Sequence, residues 1–239
     1  MSSILELKKE MDSLANPKQA KLLSGFFKTG KGQYGEGDIF LGIKVPVQRK
    51  VAKKYLDLEL EEIEKLLESR VHEHRLCALL ILVDKFGKGK NEDERKKIFT
   101  FYMKNTAKIN NWDLVDLTAP NIVGEYLIGK DETGKILFSL AKSKNLWERR
   151  ISIVSTFAFI RRGEFSHTLK VSEMLLEDKH DLIHKAVGWM LRETGKRGGM
   201  KEEEEFLDKH ADKMPRTMLR YAIERFEKGK REKYMKMKG

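Results

Sequence analysis

The chain has 239 residues, a single cysteine (Cys77), and 48 lysines and arginines against 37 aspartates and glutamates. This length can bury a substantial core, the lone cysteine excludes an intrachain disulfide, and the excess of 11 positive charges predicts a polyanionic partner, nucleic acid first. Apolar neighbours predict a buried Cys77, and without an apolar signal segment or a membrane-spanning run the protein is expected to be soluble and cytoplasmic.

Apolar residues recur at three- and four-residue spacing along the chain, which contains only four prolines. This pattern predicts one helix after another with short connections, and no segment is convincing as a strand. The first amphipathic helix is predicted over residues 4–14. Asn16-Pro17 is typical of a helix cap followed by proline at the first helical position, and this second helix is predicted to end near Lys28. Val45-Pro46 opens the next helix.

Residues 29–38 form a glycine-dense loop that contains G-x-G-x-x-G at Gly30, Gly32 and Gly35. A dinucleotide-binding fingerprint requires a preceding strand and a following helix, whereas here a helix precedes the glycines. We therefore interpret the match as accidental. The segment is predicted to be a mobile loop beside a binding surface, with Lys31 available to a phosphate.

A degenerate repeat follows, in which a short polar start leads to a charged residue and a long apolar run. Its charged positions are separated by 41, 34 and 35 residues, the length of a helix pair in α-solenoids. We predict an all-α fold, an α-solenoid of HEAT-like antiparallel helix pairs with a concave basic groove. It would be one domain over residues 1–239, with a frayed basic tail from about 226 that includes Lys238. The positions expected to face the groove are Arg75, Asp116, Arg150 and Lys185, and the intervening helices are predicted over 58–68, 92–104, 132–142 and 165–176.

The segment from Asn110 to Asp116 is the strongest candidate for chemistry. An asparagine at its start can cap a helix that carries Trp112 and Asp116 four residues apart on one face. Trp189 follows Lys185 at the same spacing, so two indoles are predicted to flank the groove. Asp113, near the helix start, is expected to complement the helix dipole.

Other classes of site are poorly supported by the sequence. His180 and His184 have a spacing that suits a metal, but no third ligand is evident. His72 and His74 point to different helical faces. No serine or cysteine has a convincing base partner, which argues against acyl transfer. Trp147, at a helix start, is expected to pack between helices.

Several motifs together resemble the AlkD-like DNA alkylation repair glycosylases, a family built from HEAT-like helical repeats. The resemblance covers nearly the whole chain, and the order and distances of the motifs make it specific. The motifs are Asn16-Pro17, the segment 40–46 (FLGIKVP), the segment 112–116 (WDLVD), the segment 147–150 (WERR) and the segment 185–193 (KAVGWMLRE).

The resemblance implies a monofunctional hydrolase that removes N3- and N7-alkylated purines from double-stranded DNA by cutting the N-glycosidic bond, without flipping the base into a protein pocket. It implies no metal and no other cofactor. Asp116 matches the catalytic carboxylate, Trp112 and Trp189 match the indoles that embrace the sugar, and Arg150 matches a phosphate-contacting arginine. The further candidate DNA contacts are Phe26, Lys31, Lys44, Arg75, Arg149, Lys185 and Arg192.

One position departs from the family pattern, because Phe26 stands where the family's best-known members carry a tyrosine. Phenylalanine keeps the aromatic face and lacks the hydroxyl donor, so activity or substrate range could differ. A solenoid needs no partner for its fold, so the protein is expected to be a monomer without an obligate protein partner. Two alternatives remain open at this point, a HEAT-like scaffold that binds an acidic protein and a noncatalytic nucleic-acid binder.

Overall fold

The computed structural model describes residues 3–237, so Lys238 lies outside the described residues. Helices account for the regular structure of this range, and its single β-bridge, between Ile39 and Val71, is isolated. The all-α prediction is confirmed. The chain forms two compact units, whose described parts are residues 3–118 and 119–237.

The N-terminal unit is built around one central helix. This helix, α5 (His72–Lys88), is buried at every position from 72 to 82. It packs against α3 (Val45–Ala52), α4 (Leu60–Leu67), α6 (Glu92–Lys104) and α7 (Trp112–Asp116). Burying each large aliphatic side chain contributes about 1.5–3 kcal/mol, which makes α5 the main source of packing energy here. The helices of this unit are α1 (Ile4–Ser13), α2 (Pro17–Phe26), α3 (Val45–Ala52), α4 (Leu60–Leu67), α5 (His72–Lys88), α6 (Glu92–Lys104) and α7 (Trp112–Asp116).

The C-terminal unit also has a central helix, α13, which packs against α10, α12, α14 and α15. At Gly188 this helix lies so close to α15 that a Cβ atom would stand 2.4 Å from the Met218 carbonyl oxygen. The helices are α8 (Glu125–Leu127), α9 (Thr133–Ala141), α10 (Leu146–Ser155), α11 (Phe157–Ile160), α12 (Ser166–Met174), α13 (Asp181–Lys196), α14 (Met200–His210), α15 (Arg216–Ala222) and α16 (Lys228–Lys236), with a π-helical turn at Pro120–Gly124.

Local sequence signals determine where several helices begin. The Asn16 side chain accepts a hydrogen bond from the Gln19 amide, and Pro17 occupies the first turn of α2 as predicted. Each helix predicted between the repeat positions is present within two residues of its expected bounds. The prediction of one continuous repeat domain stays a prediction.

The segment before α3 is fixed by a buried carboxylate. Glu73 of α5 accepts hydrogen bonds from the backbone amides of Leu41, Gly42 and Ile43 at 2.7–3.2 Å. Gly42 adopts a φ of +85°, and a Cβ there would lie 2.2 Å from the Asn16 carbonyl oxygen. Two of the sequence motifs therefore interlock physically at this point.

The C-terminal residues differ from the predicted frayed tail. They form α16, on which Tyr234 is buried and donates a hydrogen bond to Asp208 at 3.0 Å, while Lys230 pairs with Glu204. Tyr234 therefore anchors α16, and the many lysines of this segment gave no indication of a buried residue. Residues 29–38 are a loop as predicted, though internal hydrogen bonds such as Gly32 to Glu36 tie it together.

Candidate functional site

The short helix α7 presents Trp112 and Asp116 on one accessible face. Asn111 caps it, accepting a hydrogen bond from the Trp112 amide at 2.8 Å, and the three residues between Trp112 and Asp116 are buried. Trp112 and Asp116 themselves are half-buried. The predicted cap and the predicted shared face are therefore confirmed. After Asp116 the Thr118 amide donates to the Val115 carbonyl oxygen and the Thr118 hydroxyl donates to the Leu114 carbonyl oxygen, so the regular α-helical bonding ends here.

The Trp112 indole is held in an aromatic stack. Phe27 lies parallel to it, with ring centroids 4.9 Å apart and an interplanar angle of 13°. Phe40 stacks on Phe27 at 5.1 Å, and His72 stacks on Phe40 at 4.6 Å. Phe26 meets Trp112 edge-on at 5.7 Å and is 64% exposed. Offset and edge contacts of this kind add about 0.5–1.5 kcal/mol per pair beyond area burial, so the indole has a fixed orientation.

A buried charged network lies beneath the stack. His72, 1% exposed, donates from Nε2 to Asp113 at 2.8 Å and faces Asp38 through Nδ1 at 3.4 Å. Burial alone lowers the pKa of His72, but the charge and hydrogen bond of Asp113, with a hydrogen bond to Asp38, outweigh it and raise the pKa to about 9. Arg75 binds the same Asp38 oxygen at 2.8 Å. Burial alone raises the pKa of Asp38, but the hydrogen bond from His72 with the charge and hydrogen bond of Arg75 outweigh it and lower the pKa below its ordinary value.

Asp116 lies near the hydroxyl of a buried tyrosine. Burial raises the pKa of Tyr102, and the negative charge of Asp116 raises it further, while a 2.9 Å hydrogen bond with Thr118 opposes the shift. Thr118 in turn donates to the Leu114 carbonyl oxygen. Asp116 is thus half-buried, and its carboxylate lies close enough to Tyr102 for its charge to act on the phenol.

A cleft of about 300 Å³ opens beside the aromatic stack. Its walls are mostly apolar, and Gln48 contributes a buried Oε1 without a hydrogen-bond partner. Lys44, exposed at the start of α3, also borders it. The further lining residues are Gln19, Leu23, Phe26, Phe27, Phe40, Ile43, Val45, Pro46, His72, Glu73, Leu76 and Asp113.

The predicted DNA contacts of the N-terminal unit fall into two groups. Lys31 and Lys44 are exposed, as a phosphate contact requires. Arg75 differs from its prediction, because its side chain is buried, binds Asp38 and donates to the Ser69 carbonyl oxygen at 2.9 Å. The repeat pattern could not indicate this burial, because Asp38, which neutralises Arg75, belongs to the glycine-rich loop and lies outside the repeat.

In the C-terminal unit, the predicted DNA contacts have partners within the protein. Arg150 is 5% exposed and donates from Nη1 to the Leu182 carbonyl oxygen in the first turn of α13, so it differs from an accessible phosphate contact. Arg149 binds Asp178 at 2.6 Å and donates to two carbonyl oxygens at the start of α10. Lys185, half-buried, pairs with Asp181 at 2.7 Å.

Of the three tryptophans, Trp147 is 8% exposed, which confirms its predicted packing role. Trp189 is half-buried and lies 5.9 Å from Phe157, measured between ring centroids. Arg161 and Arg197 both lie over the Phe157 ring. Arg192, also half-buried, pairs with Glu224. The prediction that the four repeat positions share one groove stays a prediction.

Other site types find little support. Among residues 3–237 no group of three or more histidine, cysteine or carboxylate side chains is arranged to hold a metal ion. His180 instead caps α13, accepting from the Leu182 amide, and His184 bonds to the Asp178 carbonyl oxygen. No helix in the described part of the chain is long and apolar enough to span a bilayer. Cys77 is buried as predicted, and burial raises the pKa of its thiol to about 12.

A family model described as DNA alkylation repair enzyme matches residues 7–226. The chain belongs to the DNA alkylation repair enzyme family. The solved structure of a "Predicted DNA alkylation repair enzyme from Enterococcus faecalis" has a similar fold, with a TM-score of 0.71 and 19% identity over 90% of this chain and 97% of that chain. No curated protein matches the sequence significantly. Family membership gives the chain a role in DNA repair, with DNA as its substrate, and the fold likeness confirms the predicted helical-repeat class.

Sequence reasoning missed three residues of this DNA repair protein's candidate site, namely Phe27, His72 and Asp38. Phe27 stacks on Trp112, whereas the sequence pointed to its neighbour Phe26. His72 was considered only as a metal ligand. Its contact with Asp113 joins residues 41 positions apart, the same separation as Arg75 and Asp116 in the repeat, but equal spacing alone does not show which side chains meet.

Proposed function

We propose that this chain is a DNA glycosylase that excises positively charged N3- and N7-alkylated purines from duplex DNA by hydrolysing the N-glycosidic bond. The observation that carries the proposal is the accessible face of α7, where an oriented indole and a carboxylate stand four residues apart. The family match supplies the substrate, DNA with alkylation damage. No metal or other cofactor is part of the proposal.

The chemistry of the lesion explains these two residue types. An alkyl group at N7 or N3 makes the purine cationic, so the base leaves as a neutral molecule and positive charge moves to the deoxyribose. Asp116 would stabilise that oxocarbenium-like sugar electrostatically and orient the attacking water. The electron-rich faces of Trp112 and Trp189 would favour a cationic sugar. Because the cationic base is already a good leaving group, the enzyme needs no base-specific acid.

The basic residues divide by exposure. We propose that the exposed Lys31 and Lys44 contact phosphates, which attract duplex DNA without reading its sequence. Lys185 and Arg192, half-buried, would add to the same interaction after releasing their intrachain partners. Arg150 would act indirectly, by holding the first turn of α13, the helix that carries Lys185 and Trp189.

The test is base release from duplex DNA that contains N7-methylguanine, with free base and abasic sites both measured. The wild-type chain is expected to release the base, and Asp116→Asn to lower the single-turnover rate about 100-fold with unchanged DNA affinity, since only charge stabilisation is lost. Asp131→Asn, at an exposed turn of the same chain, is the matched control and should behave as wild type. Absence of release by the wild type would refute the glycosylase proposal.

Two further variants address the indoles. Trp112→Ala and Trp189→Ala are each expected to slow release while retaining most of the DNA affinity. Normal rates in both would remove the indoles from the mechanism and leave the activity itself in place. A noncatalytic DNA binder would show strongly salt-dependent affinity without any base release, and a protein-binding scaffold would not require Asp116.

A further inference from the structure

His72 is a buried cation between two carboxylates that come from different parts of the N-terminal unit. Asp113 belongs to α7 and accepts from Nε2 at 2.8 Å. Asp38 belongs to the end of the glycine-rich loop and lies 3.4 Å from Nδ1. With an acceptor on each side, both ring nitrogens carry a proton, so the ring is an imidazolium. An isolated charge could not be buried to this depth, and the two carboxylates compensate for it.

The same ring also takes part in the aromatic stack. It lies 4.6 Å from Phe40 and 5.0 Å from Phe27, and Phe27 lies parallel to Trp112. His72 therefore reaches α7 by two routes, through the Asp113 carboxylate and through the rings that support the indole. Both routes end on the helix that carries Asp116.

Helix α7 is too short to hold its own orientation. It has five residues, and isolated helices of this length are not stable in water. Its position therefore depends on tertiary contacts. One of these contacts is the ion pair between His72 and Asp113, the second residue of α7. Asp113 also accepts from the Leu114 amide at 2.9 Å, so a displacement of its carboxylate would be passed to the α7 backbone.

We propose that His72 is a positioning residue of the glycosylase site. Held between Asp38 and Asp113, His72 fixes the orientation of α7 and thereby the orientation of Trp112 and Asp116. This inference rests on the proposed function for its effect on catalysis, while its effect on the geometry of α7 is independent of it. The charged groups around the ring are Asp113 from α7, Asp38 from the loop and Arg75 from α5 itself. Phe27 and Phe40 complete its surroundings without adding charge.

The first measurement is single-turnover release of N7-methylguanine by the full chain at neutral pH. His72→Gln is expected to lower the rate about 10- to 100-fold, because misplacing catalytic groups by about 1 Å costs on this order. DNA affinity should stay within about twofold, since exposed lysines carry it. Asp113→Asn should likewise lower the rate of base release while leaving DNA affinity nearly unchanged. The double variant of His72→Gln and Asp113→Asn should be no slower than the slower single variant, because the two residues act as one unit.

The matched control is His74→Gln. His74 lies two residues away on α5, is 5% exposed and bonds through Nδ1 to Ser69, while its Nε2 has no hydrogen-bond partner among the described residues. Its substitution should leave the rate and the affinity as in wild type. A loss of rate in His74→Gln equal to that in His72→Gln would mean that damage to α5 in general, and not the loss of the His72–Asp113 pair, slows the reaction.

The second measurement needs no activity. The indole N–H resonance of Trp112, assigned by its disappearance in Trp112→Phe, is followed from pH 7 to pH 10 by nuclear magnetic resonance. In wild type it should shift with a midpoint near the pKa of His72, about 9. In His72→Gln this titration should be absent, whereas in His74→Gln it should persist.

The two measurements separate the possible failures. If the wild type releases no base but the Trp112 resonance titrates as expected, the proposed function fails and the positioning role stands. If base release is normal in His72→Gln, or if the Trp112 resonance does not respond to His72, the positioning role is refuted while the glycosylase proposal is untouched. Should His72→Gln fail to fold, Asp113→Asn supplies both readouts.

Discussion

Removing the imidazolium of His72 should make the N-terminal unit less stable, by an amount that depends on pH in a specific direction. The pKa of His72 is about 9, against an ordinary value of 6.5. The folded state therefore holds this proton more tightly than the unfolded state. The stabilisation is fully present below pH 6.5 and is lost as the pH rises through about 9.

The magnitude follows from the difference between the two values. At about 1.4 kcal/mol per pKa unit, the rise from 6.5 to about 9 corresponds to about 3 kcal/mol at full protonation. Solvent screening is small because the side chain is 2% exposed. Removing one partner of a buried ion pair costs a similar amount, about 3–5 kcal/mol, because the remaining carboxylates stay buried.

The assay is urea unfolding of wild type and His72→Gln from pH 6 to pH 10, followed by the Trp112 resonance, which reports on the N-terminal unit. The two free energies of unfolding should differ most at pH 6 and converge towards pH 10. His74→Gln is the control, because burial lowers the pKa of His74 to about 4 and its ring is neutral throughout this range. A difference that stays constant from pH 6 to pH 10 would refute the assignment of a stabilising charge to His72.

Four further substitutions test other features of the fold by thermal or urea unfolding. Gly42→Ala should lower the free energy of unfolding by about 2–3 kcal/mol, because its positive φ is strained for alanine and its Cβ would meet the Asn16 carbonyl oxygen. Gly32→Ala has open space around its Cβ at a φ of +75° and should lower it by only about 1 kcal/mol. Gly188→Ala should destabilise the C-terminal unit by about 1–3 kcal/mol, because α15 leaves no room for a methyl group. Burial, with the nearby charge of Glu204, raises the pKa of Glu203 to about 8, so folding opposes the ionisation of this carboxyl group. Glu203→Gln should therefore stabilise the C-terminal unit by on the order of 2 kcal/mol above pH 8. Equal stability of wild type and variant above pH 8 would contradict this.

Helix positions could be predicted because their signals are local. Asn16-Pro17 marks a helix start whatever surrounds it, and the alternation of apolar residues shows which stretches can pack. The repeat spacing singled out Arg75 and Arg150, which lie near the starts of α5 and α10. It could not show that both are buried, because their partners, Asp38 for Arg75 and the Leu182 carbonyl oxygen for Arg150, lie more than 30 residues away in the sequence.

The partners of Trp112 could not be predicted for a related reason. Phe26 and Phe27 are adjacent, and near the end of α2 the sequence does not decide which ring turns inward. The structure buries Phe27 against the indole and leaves Phe26 largely exposed at its edge. The missing tyrosine hydroxyl therefore concerns a ring at the accessible rim of the site, whereas the ring that orients Trp112 is the neighbouring one.

The burial pattern of α7 distinguishes Trp112 from a tryptophan that serves only packing. The inner side of this helix is fully used, because Asp113 binds His72 while Leu114 and Val115 lie in the core. Packing therefore determines positions 113–115 and leaves positions 112 and 116 open to selection for another purpose. A tryptophan needed only for packing would be buried like Trp147, at 8% exposure, whereas Trp112 stays half-buried despite its ring contacts. An indole that is rigidly supported and still accessible, one helical turn from a carboxylate, is the arrangement that we propose binds the cationic sugar.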